Sequence, residues 1–140
     1  MDLKQLSYKN STIGYYRFGS GTQIAFCFHG YGEEALLFEF LGKYAGTEFT
    51  FYAIDLPFHG KTIWQEGLNF SASDLLQIIV KVLEQHNDPF QSAFSDNIKF
   101  SLIGYSLGGR IALSLYECIP DKIEKLILLA PDRSEERRVG

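Results

Sequence analysis

The stretch that decides the fold is Phe100-Ser101-Leu102-Ile103-Gly104-Tyr105-Ser106-Leu107-Gly108-Gly109-Arg110-Ile111-Ala112. Residues 98–103 form a short apolar run, the pattern of a buried strand. Residues 107–119 carry apolar side chains at helical spacing and stop at Pro120. Between them Gly104-Tyr105-Ser106-Leu107-Gly108 reads G-x-S-x-G, placed after a strand and at the start of a helix. So tight a turn holds the serine in a strained backbone conformation and lifts its hydroxyl above the sheet. Side chains two positions to either side would collide, which accounts for Gly104 and Gly108. The helix that follows aims its first N–H groups at the site, so the N–H of Leu107 is placed to bond an oxyanion. Ser106 is the candidate nucleophile, with a positive φ expected.

Outward from this turn, strand and helix alternate. Residues 3–8 and 13–18 read as a strand pair turning at Asn10-Ser11. Residues 24–28 are a short buried strand. Residues 33–44 predict a helix with Leu36, Leu37, Phe40, Leu41 and Tyr44 on one face. Residues 49–54 are the next strand, followed by a polar loop through Asn69. Ser71 and Asp74 form a capping box for a helix whose inner face is Leu75, Leu76, Ile79, Val82 and Leu83. Residues 125–130 read as a last buried strand. The fold class expected is α/β, a mostly parallel sheet flanked by helices.

Composition narrows the function classes. The chain has 140 residues, 46% apolar and 21% charged, which suits one soluble globular domain. A net charge of −4 argues against non-specific nucleic-acid binding. The first residues hold no apolar signal core, and no apolar run nears the roughly 20 residues that span a bilayer. A cytoplasmic protein without a membrane partner is expected. Cys27 and Cys118 read as buried free thiols, and no metal site or cofactor is expected. His86 ends a helix and suits the negative end of its dipole.

A second motif, His29-Gly30-Tyr31-Gly32, follows the strand at residues 24–28. With the serine turn, it makes the chain resemble the α/β-hydrolase fold family, as an N-terminal part of that fold. In that family an H-G-x-G loop after the third strand supplies the other oxyanion donor. The resemblance makes that donor the N–H of Tyr31, with Gly30 and Gly32 shaping the loop and His29 bracing it. It also places the third and fifth strands side by side, so that Tyr31 and Leu107 converge on one oxygen. Asp55-Leu56-Pro57-Phe58-His59-Gly60-Lys61-Thr62 is similar to the family's D-x-P-G-H-G loop, except that Phe58 stands where glycine is usual. His59 is expected to brace this loop. The resemblance implies a serine hydrolase acting on a small-molecule acyl substrate through an ester-like carbonyl. Some members use the same residues to eliminate instead, including lyases of menaquinone synthesis.

The resemblance also sets the triad order as Ser, then Asp or Glu, then His. Only 34 residues follow Ser106, and no histidine follows His86. Asp132 stands earlier than the family's usual acid. The resemblance runs from about Leu3 to Pro131, so residues 1–131 are read as the N-terminal part of the domain. Residues 132–140 are rich in charge and read as a non-native or disordered tail. The strand at 125–130 lies inside the family's sheet, and without a following strand it is expected at an edge here. Two rival motifs exist. Gly30-x-Gly32-x-x-Ala35 with Asp55 approaches a dinucleotide-binding fingerprint, but Glu33 and Glu34 would face the pyrophosphate. Gly60-Lys61-Thr62 matches only the tail of a phosphate-binding loop, with Asp55 where its first glycine belongs.

Overall fold

The computed structural model describes residues 2–86 and 99–129. Residue Ile98, Asp132 and the tail at 132–140 lie outside the described residues. Strands β1 (Leu3–Tyr8) and β2 (Ser11–Gly19) form an antiparallel hairpin in which Tyr8 pairs with Ser11. The turn therefore falls on Lys9-Asn10, one residue before the expected position, and Lys9 takes a φ of 53°. Two-residue hairpin connections need that positive φ to match the twist of the flanking strands.

The remaining strands are β3 (Gln23–Phe28), β4 (Phe49–Ile54), β5 (Phe100–Tyr105) and β6 (Ile123–Leu129). Together they form a six-stranded sheet in the order β1-β2-β4-β3-β5-β6. β2 runs antiparallel to β4, whereas β4, β3, β5 and β6 are parallel. The loops that follow β3, β4 and β5 consequently emerge at one end of the sheet. β3 and β5 are neighbours, with Phe28 opposite Gly104.

Alternation along β3 divides the core between two faces. Ile24, Phe26 and Phe28 pack with Tyr52, Leu102 and two helices, α2 (Ala72–Gln85) and α3 (Leu107–Cys118). Ala25 and Cys27 pack on the other face with Phe51, Ala53 and Phe38. The capping box forms as expected: the Asp74 amide donates to the Ser71 hydroxyl and the Ser71 amide to the Asp74 carboxylate, both at 3.0 Å. The buried face of α2 is Leu75, Ile78, Ile79, Val82 and Leu83, with Leu76 only partly covered.

Three expectations are corrected. Residues 33–44 do not form one α-helix: a 3₁₀ turn (Ala35–Glu39) precedes the short α1 (Phe40–Ala45). In a 3₁₀ turn every third side chain aligns, so Ala35 and Phe38 go inward with Leu41 beside them. Leu36, Leu37, Phe40 and Tyr44, assigned to the inner face by a 3.6-residue period, are exposed. Strand β6 is buried only at its start, at Ile123, with Leu126 partly covered. Among the described residues it pairs only with β5, so the expected edge position holds, and Ile127, Leu128 and Leu129 are exposed. Cys27 is buried but Cys118 is exposed on the outer side of α3.

Candidate active site

The serine turn has the geometry its sequence demands. Ser106 joins β5 to α3 with φ 55° and ψ −116°, in a region that few non-glycine residues visit. The Gly109 amide donates to the Ser106 carbonyl at 2.9 Å and opens the helix, and the Ser106 side chain makes no capping bond. Its own amide donates to the Leu129 carbonyl at 3.0 Å, which ties the turn to β6. The two flanking glycines are sterically required. A Cβ on Gly104 would sit 2.4 Å from the Gly108 carbonyl oxygen, and one on Gly108 would sit 1.9 Å from that of Phe28.

The loop after β3 runs against this turn. A Cβ on Gly30 would lie 3.0 Å from the Ser106 Cβ and 3.2 Å from the Tyr105 ring. Because Phe28 and Gly104 are paired, the loop after β3 and the serine turn leave adjacent strands at the same level. The structure therefore brings Ser106, Gly30 and Leu107 together at one sheet end, with Tyr31 next in the chain. The Tyr31 side chain is 82% exposed.

The two loop histidines are committed to structure. His29 is fully buried. The Leu56 amide donates to its Nε2 at 2.9 Å, so the proton sits on Nδ1 and is given to the Gly30 carbonyl at 2.8 Å. Burial holds its pKa below the ordinary value, against the pull of the Gly30 carbonyl. His59 repeats the pattern one strand over: the Gly32 amide donates to Nε2 at 2.9 Å, and Nδ1 meets the Pro57 carbonyl at 2.9 Å. Its ring lies 4.9 Å from that of His29 and 5.6 Å from that of Tyr31. Each histidine thus pins the loop after β4 to the loop after β3. His86 caps the far end of α2, where its Nε2 meets the Tyr15 hydroxyl at 2.9 Å and its ring packs on Tyr15 and Tyr52. That aromatic packing, beyond the helix dipole, accounts for its position.

Asp55 is the structural residue whose importance sequence reading understated. Its buried carboxylate accepts the Ala35 amide at 2.8 Å and the Lys61 amide at 3.0 Å. It cannot serve a ribose, and the chain after Gly32 opens as a 3₁₀ turn, so the dinucleotide motif has neither its acid nor its helix. Trp64 lies in the loop between β4 and α2, where no periodic pattern marks it as a core residue. It is buried, stacked on Tyr8 with ring centroids 5.9 Å apart. A cavity of about 550 Å³ lies between the start of α2 and the outer side of α3, with Phe70, Leu75, Leu107, Arg110 and Ile111 in its wall. No helix among the described residues is long and apolar enough to cross a membrane.

The chain is similar in sequence and fold to known proteins. The chain is 28% identical over 114 residues to a pimeloyl-[acyl-carrier protein] methyl ester esterase of Aeromonas salmonicida, covering 81% of this chain and 39% of that protein. It is 29% identical over 116 residues to protein phosphatase methylesterase 1 of Kluyveromyces lactis, covering 76% of this chain and 29% of that protein. The chain thus spans less than half the length of the curated relatives it matches. Among solved structures, a thioesterase domain from the curacin biosynthetic pathway superposes with a TM-score of 0.73 at 25% identity, over 94% of this chain and 44% of that one. A model of the alpha/beta hydrolase fold matches residues 26–138. With the serine turn, the sheet order and these matches in agreement, the chain belongs to the α/β-hydrolase fold family.

Proposed function

We propose that Ser106 is the nucleophile of a hydrolase that cleaves an ester-like carbonyl. The observation that carries this reading is the strained φ of Ser106 at the head of α3, held by Gly108 against Phe28. Strain of this kind persists only where the surroundings over-determine it, and it clusters at functional sites. In the proposed reaction the Ser106 Oγ attacks the carbonyl carbon and gives its proton to a base. The carbonyl π electrons move onto oxygen, and the N–H groups of Tyr31 and Leu107 receive the resulting negative charge. Collapse expels the alcohol or thiol, which takes the proton, and water then releases the acid from the acyl-enzyme.

The base is proposed to come from a part of the protein that this chain does not include. No histidine follows His86 in the 140 residues, and His29 and His59 use both ring nitrogens on the loops. The relatives that act on methyl esters, and the thioesterase domain, support an ester or thioester as the substrate class. The test is hydrolysis of p-nitrophenyl esters by the protein expressed from its complete reading frame. Ser106→Ala is expected to lower kcat by about 10³-fold or more. Retained turnover in that variant would overturn the assignment.

A further inference from the structure

Phe58 is the one described non-glycine residue besides Lys9 and Ser106 with a positive φ, at 69°. Lys9 has a hairpin to explain it and Ser106 the nucleophile turn, but Phe58 has neither. A left-handed conformation disfavours a side chain that bears a Cβ, and an aromatic residue gains nothing locally to offset this. Packing supplies no compensation either, because the side chain is 64% exposed. The backbone on both sides is fixed: Leu56 by His29, the His59 amide by the Leu56 carbonyl at 3.0 Å, and Lys61 by Asp55. The loop thus imposes the conformation, glycine would meet it without strain, and a large apolar side chain stands there in water instead.

The loop's location gives that side chain a use. His59, the next residue, bonds the Gly32 amide and lies against the Tyr31 ring, and Gly30 abuts Ser106. Phe58 and Tyr31 are therefore two exposed aromatic residues on successive loops of the rim that carries the nucleophile. We propose that Phe58, with Tyr31, forms an apolar lip that binds the hydrocarbon part of the substrate, so that Phe58 sets a preference for long acyl chains. This rests on the reading of Ser106 as nucleophile. The strain is the stability given up for an aromatic surface beside the reacting serine.

The experiment compares wild type and Phe58→Gly in the protein expressed from its complete reading frame, using p-nitrophenyl acetate and octanoate. Phe58→Gly is expected to lower the octanoate-to-acetate ratio of kcat/KM by about tenfold, carried by KM for octanoate. Relief of strain is expected to raise Tm by roughly 2–4 °C. A ratio within about twofold of wild type would overturn the proposal. So would a lower Tm, which would mean that other residues of the protein pack over the ring. A wild-type protein that hydrolyses neither ester would instead count against the reading of Ser106 and leave the lip without its premise.

Discussion

Gly108 and Phe28 are in such close approach that a Cβ on the glycine would lie 1.9 Å from the phenylalanine's carbonyl oxygen. The first turn of α3 is thereby pressed onto the end of β3, and this contact brings the loop after β3 and the serine turn together. The neighbouring Gly109 is different. A Cβ there would find its nearest neighbour, the Gly104 carbonyl oxygen, at an ordinary 3.6 Å.

This contrast gives a paired test. Gly108→Ala is expected to destabilise the fold by about 3 kcal/mol or more, because the obstruction is backbone and cannot rotate away. Gly109→Ala, in the same helix, is expected to be neutral or to stabilise by up to ~1 kcal/mol. Urea denaturation of both variants reads the difference. Equal effects would refute the steric account of the motif.

A second test uses acid. His29 is buried as the neutral imidazole, with its pKa below the ordinary 6.5, so the unfolded chain binds a proton more readily than the folded one. Stability is complete above about pH 6.5 and falls as pH drops, by up to about 1.4 kcal/mol per pH unit until the folded pKa is reached. His29→Gln should be less stable than wild type at pH 7.5, since both loop bonds are lost, and the gap should narrow at pH 5. A gap of constant size would show that folding does not lower the His29 pKa, and would contradict this account.

Much of this was legible in the sequence because close packing leaves so few residue choices. Gly104, Ser106 and Gly108 announce the turn, since nothing larger fits at the two glycines. Ser71 and Asp74 announce the start of α2, since the bonds involved are local. The failures are equally physical. The exposure of Leu36 and Leu37 follows from a 3₁₀ turn, which changes the period from 3.6 to 3 without changing composition, while Phe40 and Tyr44 lie exposed on the short α1 that follows. The apolar run at 126–129 has the pattern of a buried strand, but burial depends on a neighbour that residue pattern alone does not supply, and Ile127, Leu128 and Leu129 are exposed. Asp55 accepts the Ala35 amide from 20 residues earlier in the chain, and no local signal marks such a bond.

The exposed edge has its own consequence. Strand β6 presents Ile127, Leu128 and Leu129, and among the described residues nothing pairs with its outer side. Flat apolar edges recruit other strands. The 140-residue chain is expected to self-associate at concentrations of order 10 μM, and Ile127→Lys to shift it toward monomer. Sedimentation velocity reads the change. A wild-type chain that stays monomeric would contradict this account of the edge.

The 140-residue chain also tests how the proposed nucleophile is activated. Without a free histidine the Ser106 hydroxyl stays protonated, so the chain is expected to react with a fluorophosphonate far more slowly than the protein from the complete reading frame. Rapid labelling would assign a base role to His29 or His59, against the hydrogen bonds both make to the loops.

The most direct measurement is the site of covalent attachment. The protein expressed from its complete reading frame is treated with a fluorophosphonate, digested with trypsin and analysed by fragment-ion mass spectrometry. Cleavage after Lys99 and Arg110 yields the peptide of residues 100–110, which holds Ser101 and Ser106. The phosphonyl group is expected on Ser106 and absent from the Ser106→Ala protein. An adduct on Ser101 or on another peptide, or undiminished labelling of Ser106→Ala, would contradict the assignment of Ser106 as nucleophile.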